Sequence, residues 1–258
     1  MLNFNIVPMG NNKKKKGKKK VVSASGKPFV SVCTPTYNRR QFIPQLIKCF
    51  QNQNYPKQLM EWIVVDDGDD SVADLFEGVE CVKYFRVESK MKLGRKRNYM
   101  HEKTKGEIIV YMDDDDYYPP DRVNHAVNRL RAVPRALAAG SSIVYIYFND
   151  LDKIYQFGPY GPQHATAGTF AFKRQLLKET SYDDNAEIAE EKHFLKNYSV
   201  PLVQLDPMKA ILVFAHQFNT FDKRRLLVNP HPNFVRETKL KPKLFIKDKE
   251  MRKFYITA

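Results

Sequence analysis

The sequence has few cysteines and no long hydrophobic run, and each absence excludes a class of protein. The three cysteines, Cys33, Cys49 and Cys81, lack a Cys-x-x-Cys spacing, so neither a zinc site nor a disulfide framework is indicated. Few unpaired cysteines fit a reducing compartment. No apolar stretch approaches the roughly 18 residues that a membrane span needs, and the N-terminus lacks the apolar core of a signal peptide. We therefore expect a soluble, cytoplasmic protein.

Positive charge is the one compositional extreme of the chain. The formal net charge is +14 over 258 residues, concentrated in Lys13 to Lys20 and between Arg236 and Lys253. Because a lysine run repels itself, residues 1–27 are predicted to form a disordered arm. Such an arm can contact an anionic membrane surface or another polyanion weakly, or serve only solubility. The charge is terminal, so it does not define the chemistry of the middle of the chain.

Between the charged ends, short apolar segments alternate with segments of helical periodicity. This alternation predicts right-handed βαβ units and an open, mostly parallel twisted sheet flanked by helices. We expect one α/β domain over residues 28–225, with halves 28–120 and 121–225, followed by a basic C-terminal extension, 226–258. The predicted strands of the first half are Phe29–Cys33, Trp62–Val65, Val79–Phe85 and Ile108–Met112.

The second half of the predicted domain has a different texture, with more aromatic residues and shorter periodic segments. Its predicted strands are Ile143–Phe148, Gly168–Phe172 and Ile211–Phe214, its predicted helices are Arg174–Lys178 and Glu187–Asn197, and Tyr155–Pro162 is a predicted loop.

Four consecutive aspartates, Asp113 to Asp116, follow the apolar strand Ile108–Met112. Two carboxylates a few ångströms apart repel by about 1 kcal/mol in water and by several times more in a partly buried cleft. A divalent cation removes that cost, and carboxylate oxygens suit Mg²⁺ or Mn²⁺ shared with substrate phosphates. The alternative is a solvated acidic loop. The position at the carboxyl end of a buried strand, where open α/β sheets bind ligands, favours a metal-diphosphate site.

A second acidic group, Asp66-Asp67-Gly68, also follows an apolar strand. A βαβ arrangement can bring both acidic strand ends to one edge of the sheet, where one carboxylate accepts the N–H of a pyrimidine base and the other holds the metal. Taken alone, Asp-Asp-Gly is equally typical of a turn or a helix N-cap. The polar loop Thr34–Arg39 follows the first strand, and its Tyr37 can pack on a base or a ribose.

Three segments, in this order and spacing, resemble glycosyltransferase family 2, the inverting glycosyltransferases with the GT-A fold. They are Val30–Arg39 (VSVCTPTYNR), Trp62–Gly68 (WIVVDDG), and Arg97-Asn98 ahead of Gly106–Asp116 (GEIIVYMDDDD). The resemblance covers about residues 29 to 125. It implies a GT-A sheet with a smaller acceptor-side sheet region, a nucleotide-sugar donor that is usually a UDP-sugar, a Mn²⁺ or Mg²⁺ ion, and a carbohydrate or glycoconjugate acceptor.

The resemblance also implies donor-binding roles for five positions of the first half. Pro35 and Tyr37 match the wall of the base pocket, and Asp67 matches the aspartate that reads the base. Lys92 and Arg97 lie where the family has basic groups that offset the charge of the diphosphate. A solvated basic helix face is the alternative for either of these two cations.

In the aspartate run, Asp113 and Asp115 resemble the outer positions of the family's Asp-x-Asp motif. The resemblance implies that Asp115 is the principal metal ligand. It places Asp113 and Asp114 near the ribose and the donor sugar, and Asp113 is also a candidate metal ligand. Because four aspartates are consecutive, the register can slip by one, so that Asp114 or Asp116 shares the role. His216, after the last apolar strand, is a further candidate metal ligand or a structural histidine.

An inverting transfer needs one general base at the acceptor hydroxyl and no covalent intermediate. The family places this base in a Glu-Asp pair that opens a helix of the second half, and here the matching pair is Glu190-Glu191. The second position differs from the family, since Glu replaces Asp. Glu191 is our first candidate for the base and Glu190 the second. The alternative is two solvent-facing glutamates paired with Lys192.

Two other functions are compatible with parts of the sequence. A nucleotidyltransferase that makes sugar nucleotides also uses an α/β sheet and aspartate-bound metal, but it favours a Gly-rich phosphate loop where this chain has Pro35-Thr36-Tyr37-Asn38. A nucleic-acid-binding protein is motivated by the charge of +14. That function requires basic and aromatic residues interleaved on the folded surface, whereas here the charge is terminal and the strand ends are acidic.

Overall fold

The computed structural model describes residues 26–187 and 190–258. Residues 1–25 of the predicted N-terminal arm lie outside this part, so the disorder of the arm and its contact with anionic surfaces stay predictions. Among the described residues, no helix is long and apolar enough to cross a membrane.

The described residues form strands in two sheets, with helices packed on them. The strands are β1 (Val30–Thr36), β2 (Met60–Asp66), β3 (Val82–Arg86), β4 (Ile108–Tyr111), β5 (Ala138–Gly140), β6 (Val144–Phe148), β7 (Lys153–Phe157), β8 (Ala171–Lys173), β9 (Leu202–Gln204), β10 (Leu212–Ala215) and β11 (Val235–Glu237). The helices are α1 (Ile43–Gln51), α2 (Leu93–Lys103), α3 (Arg122–Ala132), α4 (Glu191–Phe194), α5 (Pro207–Ala210), α6 (Pro242–Phe245) and α7 (Lys249–Thr257).

The larger sheet has the strand order β3-β2-β1-β4-β8-β5-β9. Strands β1 to β4 pair in parallel, and β8 is antiparallel to both of its neighbours, β4 and β5. Every residue of β2 and β4 is buried, as expected for central parallel strands that carry helices on both faces. The predicted mostly parallel α/β sheet flanked by helices is confirmed.

Alternate residues of the central strands face two different hydrophobic layers. Trp62 and Val64 belong to the layer that contains α1 and α3, while Ile63 and Val65 belong to the layer that contains the buried face of α2. Because side chains of a strand alternate between its faces, a continuous apolar run is what a doubly covered strand requires. This two-sided packing fixes the carboxyl ends of the strands, where the acidic residues lie.

The smaller sheet has the order β10-β6-β7-β11 and contains a strand that the sequence analysis did not predict. Residues 155–162 were expected to be a loop, but 155–157 belong to β7, which pairs antiparallel with β6. This expectation was wrong because the Gly and Pro residues that indicate a loop begin only at Gly158. The turn between the two strands contains Asp152 at φ 48°.

The basic C-terminal extension predicted for residues 226–258 supplies packed elements, namely β11, α6 and α7. Tyr255 of α7 is fully buried and stacks on Phe214 with ring centroids 4.7 Å apart. Its hydroxyl donates to the backbone carbonyl of Asp116 over 3.0 Å. Through Tyr255, the extension therefore packs against β10 and stabilises the backbone at the last aspartate of the run.

The helix predicted over Glu187–Asn197 is much shorter in the structure. Its helical part is α4, which begins at Glu191 and ends at Phe194. Lys196, Asn197 and Tyr198 then follow with φ of 49°, 54° and 63°. Left-handed residues cannot continue a right-handed helix, so the chain turns away after a single turn of helix.

His101 lies on the buried face of α2, and its Nε2 is 2.6 Å from the hydroxyl of Tyr111. Burial, and then the charges of Arg97 and Arg174, lower the pKa of His101 to about 3. The ring is therefore neutral in the folded protein at pH values where a histidine of the unfolded chain is protonated, since an unperturbed histidine has a pKa of about 6.5.

This buried histidine predicts a loss of stability in mild acid. Between pH 6.5 and 3 the unfolded chain binds a proton at His101 that the folded protein does not bind, so the free energy of unfolding falls as the pH falls. At pH 5 the loss from this residue is about 2 kcal/mol relative to neutral pH. We expect His101→Gln to remove this part of the pH dependence in urea unfolding measured at pH 7 and pH 5. An unchanged slope would contradict the assignment.

Candidate active site

The polar loops that follow β1, β2 and β4 meet at one edge of the larger sheet. Strand β1 lies between the other two, with Thr36 opposite Asp66 of β2 and Cys33 opposite Tyr111 of β4. The two acidic segments therefore share one edge, as predicted. The end of β1 and the residues Tyr37–Arg39 lie between them; the predicted loop Thr34–Arg39 is shorter in the structure, because Thr34 to Thr36 pair with β2.

At the end of β2, the two aspartates have different surroundings. The carboxylate of Asp66 accepts hydrogen bonds from the backbone N–H groups of Gly68 and Val72, at 2.9 and 3.1 Å, and from the hydroxyl of Tyr84. The carboxylate of Asp66 therefore stabilises the turn that follows β2. Asp67 instead accepts from the backbone N–H of Met91 over 2.6 Å and pairs with a lysine of α2.

That lysine is Lys96, and it lies between the end of β1 and Asp67. Its ammonium pairs with Asp67, donates to the carbonyl of Thr36 over 3.2 Å and lies 5.8 Å from the ring centroid of Tyr37. Burial lowers the pKa of Lys96, while Asp67 acts in the opposite direction. The ammonium of Lys90 lies over the same ring, 4.2 Å from its centroid.

Two residues predicted for the donor pocket, Pro35 and Lys92, lie in different surroundings. Pro35 lies near the end of β1, opposite Val65, and is partly buried. Lys92, predicted to offset the charge of the diphosphate, has its ammonium 3.6 Å from a carboxylate oxygen of Glu187, and half of its side chain is exposed. Its role at the diphosphate stays a prediction. Lys92 precedes the first residue of α2, and Lys96, one turn later, takes the position beside Asp67.

The loops after β1 and β2 are packed at a separation that only glycine permits. A Cβ atom on Gly68 would lie 2.6 Å from the backbone nitrogen of Asn38. Asn38 has φ of 53°, and its side-chain oxygen accepts from the backbone N–H of Asp69 over 2.7 Å. The loops that follow β1 and β2 are thus fixed to each other.

The four aspartates after β4 occupy four different environments. Asp113 has an oxygen 3.5 Å from Nη2 of Arg97. Asp114 is almost fully buried. Asp115 has Oδ2 3.5 Å from Nε2 of His216 and accepts from the side-chain amide of Asn219 over 3.1 Å. Asp116 accepts from the backbone N–H of Phe214, on β10, over 3.0 Å, so it joins the two sheets.

Negative charge in this run is only partly compensated. Burial, together with the charge of Asp115, raises the pKa of Asp114 to about 8. The pKa of Asp113 is raised mainly by burial, against the lowering effect of Arg97. The pKa of Asp116 is also raised by burial and by Asp115. Carboxyl groups with raised pKa values mark a place where an added cation is stabilising.

The residues around Asp115 fit a metal ion whose remaining ligands come from a phosphate group. Among the described residues, no group of three or more His, Cys, Asp or Glu side chains is arranged to hold an ion. Asp115 and His216 face each other, however, and burial lowers the pKa of His216 to about 4, so its ring is neutral, the form in which histidine binds a metal. Its Nδ1 accepts from the backbone N–H of Phe218 over 3.2 Å, so Nε2 would have to give up its hydrogen to bind an ion. Mg²⁺ is commonly held by one or two protein groups plus substrate phosphates.

The acidic pair Glu190-Glu191 begins α4 and reaches the same site. Glu190 is buried and accepts from Nε of Arg97 over 2.9 Å. The alternative interpretation, in which both glutamates face solvent, is therefore wrong for Glu190. The pKa of Glu191 is raised, first by burial and then by the charge of Glu190.

Arg97 and Asn98 of α2 connect this pair to the rest of the site. The guanidinium of Arg97 lies between Glu190 and Asp113 and 4.5 Å from the ring centroid of Tyr111. Asn98 donates to the carbonyl of Tyr182 over 2.9 Å and accepts from the N–H of the same residue over 2.9 Å. Arg97 thus binds Glu190 of the acidic pair, and Asn98 binds Tyr182 in the segment that precedes the pair.

Three residues of the site were not singled out by sequence reasoning. Lys96 lies about one helical turn after Lys92 and carries the same charge, and this spacing is the signal that could have identified it. Arg39 belongs to a segment that was identified, and its side chain lies 3.6 Å from Asp115. Asn219, three residues after His216, had no signal, because its contact with Asp115 joins positions 104 residues apart.

Comparison with known proteins shows the family of the chain. The sequence profile of "Glycosyl transferase family 2" matches residues 31–186. The poly(ribitol-phosphate) beta-N-acetylglucosaminyltransferase TarS of Staphylococcus aureus is 27% identical over 106 residues, which are 37% of this chain and 18% of TarS. The GalNAc(5)-diNAcBac-PP-undecaprenol beta-1,3-glucosyltransferase of Campylobacter jejuni is 34% identical over 96 residues, which are 34% of this chain and 30% of that enzyme. The matched regions thus span less than a third of these relatives.

Solved structures show the same fold at lower identity. The mannosyltransferase PcManGT of Pyrobaculum calidifontis, in complex with GDP-Man and Mn²⁺, has a TM-score of 0.60 and 19% identity, covering 78% of this chain and 62% of that chain. TarS 1–349 of S. aureus, in complex with UDP-GlcNAc, has a TM-score of 0.55 and 18% identity, covering 74% and 59%. These likenesses show the GT-A fold. The family profile matches more than half of this chain, and the chain therefore belongs to glycosyltransferase family 2.

Proposed function

We propose that this protein is a metal-dependent, inverting glycosyltransferase that moves a sugar from a nucleoside-diphosphate sugar to a hydroxyl group of a glycan or glycoconjugate. The observation that carries the proposal is the placement of two carboxylates on either side of the loop after β1. Asp67 lies beside a buried lysine at one strand end, and Asp115 faces His216 at the other. One position suits a base and the other suits a metal-bound diphosphate.

The donor is expected to be a UDP-sugar. Asp67 is the candidate acceptor for the N–H of a uracil ring, and Tyr37 and Pro35 stand at the end of the neighbouring strand. The carboxylate of Asp67 is buried and accepts hydrogen bonds from Met91 and Lys96, so binding of the base requires one of these contacts to open. The complexes of TarS with UDP-GlcNAc and of PcManGT with GDP-Man support a nucleotide-sugar donor in this fold. Arg97, whose guanidinium reaches Asp113, supplies positive charge on the sugar side of the diphosphate.

Asp115 and His216 would hold a Mn²⁺ or Mg²⁺ ion, with Asp113 as a further candidate ligand. When bound, the ion would neutralise charge on the departing nucleoside diphosphate. Asp113 and Asp114 would then face the ribose and the donor sugar, while Asp116 holds β10 through Phe214.

Glu191 is the proposed general base, which takes the proton of the acceptor hydroxyl as that oxygen attacks the sugar. Its raised pKa brings a carboxylate closer to the pH at which it must accept a proton. Glu190 is less suited to this role, because its carboxylate is buried and already accepts a hydrogen bond from Nε of Arg97. Arg97 and Glu190 instead hold the start of α4 against the donor side of the site.

The proposal is tested by nucleotide-dependent thermal stability with and without Mn²⁺. A ligand at 100 times its dissociation constant adds about 2.7 kcal/mol to the free energy of unfolding. We expect UDP or a UDP-sugar to stabilise the protein only when Mn²⁺ is present, and Asp115→Ala to remove most of this effect. Asp70→Ala, which alters an exposed ion pair with Arg40, is the matched control and should respond as wild type.

Two results would contradict this prediction. One is that no nucleoside diphosphate or nucleotide-sugar stabilises the protein in a metal-dependent way. The other is that Asp115→Ala retains the full metal-dependent stabilisation, which would place the ion on other carboxylates of the run.

A further inference from the structure

Arg39, at the end of the loop after β1, lies over the carboxylates of the aspartate run. Its Nε is 3.6 Å from Oδ2 of Asp115 and 3.9 Å from Oδ1 of Asp114, and only 13% of its side chain is exposed. One Nη donates to the carbonyl of Tyr37 and the other to the hydroxyl of Thr220, both over 3.4 Å. The guanidinium therefore bridges the loop after β1 and the segment after β10.

Every one of these contacts is long for an arginine. A hydrogen bond between a guanidinium and a carboxylate is typically 2.7 to 2.9 Å. Within the described residues, the buried Nε of Arg39 has no hydrogen-bond partner at all. The side chain thus contributes positive charge to Asp114 and Asp115, while most of its directional donor capacity is unused.

A metal ion on Asp115 would share that carboxylate with the guanidinium. Two cations at one carboxylate repel each other, so Arg39 opposes binding of the metal by itself. A diphosphate changes the sign of this effect, because its oxygens offer the acceptors that the guanidinium lacks. The planar fork of arginine matches phosphate oxygens in a bidentate manner.

We propose that Arg39 acts as an internal counter-ion that competes with the free metal at Asp115 and binds the diphosphate of the metal-bound nucleotide. This inference rests on the proposed function of the site. Arg39 makes the site select the metal-nucleotide complex over the free ion. Since its other Nη reaches Thr220, binding of the diphosphate by Arg39 also couples the nucleotide to the segment that carries His216 and Asn219.

The test compares two ligands in the full chain with Arg39→Gln. Binding of Mn²⁺ alone is followed by the electron paramagnetic resonance signal of the free ion, and binding of UDP is measured by calorimetry at saturating Mn²⁺. We expect Arg39→Gln to bind Mn²⁺ alone about tenfold more tightly and UDP with Mn²⁺ about tenfold more weakly, each a change of about 1.4 kcal/mol. A residue that only supports the fold would not move the two affinities in opposite directions.

Two further variants sharpen the test. Arg40→Gln is the matched control, because Arg40 is the adjacent arginine and pairs with Asp70 and Asp74 outside the site; it should leave both affinities unchanged. Arg39→Lys keeps the charge but loses the fork, so we expect near wild-type affinity for Mn²⁺ alone and weaker binding of UDP. It also serves if Arg39→Gln does not fold.

The outcomes separate this inference from the function on which it rests. If Arg39→Gln weakens both ligands equally, or changes neither while wild type binds both, the counter-ion role is wrong and the proposed function stands. If neither wild type nor any variant binds Mn²⁺ or UDP, both the proposed function and the role of Arg39 fail.

Discussion

Glu191→Gln is expected to lose sugar transfer almost completely while it still binds the donor. An amide has nearly the size of a carboxylate but cannot accept the proton of the acceptor hydroxyl. Positioned general bases contribute roughly a hundredfold to ten-thousandfold to rate, so we expect kcat to fall about a thousandfold. Donor binding should be retained, because among the described residues no hydrogen bond or ion pair joins Glu191 to Asp67 or to Asp115. The measurement is release of nucleoside diphosphate, with donor binding followed by thermal stability.

Glu190 provides an internal comparison for this prediction. Its negative charge is one cause of the raised pKa of Glu191. In the pH profile of kcat, activity should fall as the pH drops through the raised pKa of Glu191, because the protonated acid cannot act as a base. Glu190→Gln should move this acidic limb to lower pH, since the neighbouring like charge is gone. Full activity of Glu191→Gln would assign the base to Glu190 or to another group.

The parts of the fold that the sequence predicted are those whose local pattern had no competing interpretation. Strands β2 and β4 contain unbroken apolar runs, Trp62–Val65 and Ile108–Tyr111, and the apolar part of β1 is interrupted only by Ser31. Polar residues follow each of these runs. The short strands β5 and β9, of three residues each, have no such pattern. Their residues are extended because neighbouring strands supply hydrogen bonds, which is tertiary information that a single sequence does not contain.

In the candidate site, too, the residues with a local sequence pattern were predictable and those that depend on tertiary contacts were not. Positions tied to strand ends, such as Asp67 and Asp115, were predictable because the carboxyl edge of a parallel sheet is a known place for ligands. The partners of those carboxylates were not. Asp67 pairs with a lysine 29 positions away and Asp115 with a histidine 101 positions away. Which of several cations on α2 faces inward depends on where that helix begins, and a shift of one residue exchanges Lys96 for a neighbour.

The second large effect concerns the buried pair of Arg97 and Glu190. Both side chains are at most 5% exposed, and Arg97 is the cation that Glu190 contacts. Removing one member of a buried ion pair typically costs 3 to 5 kcal/mol, because the other charge stays buried without a partner. We therefore expect Arg97→Met to lower the free energy of unfolding by about 4 kcal/mol in urea titrations at pH 7. Arg95→Met, on the exposed face of the same helix, should cost at most about 1 kcal/mol.

A double-mutant cycle shows whether the pair itself is responsible. In Arg97→Met with Glu190→Gln, the uncompensated charge is gone, so the double variant should be more stable than Arg97→Met alone, although Glu190 is removed as well. Additive losses would mean that Arg97 stabilises the protein mainly through its packing on Tyr111. In that case the start of α4 would be held by packing, and the position of Glu191 would not depend on the charge of its neighbour.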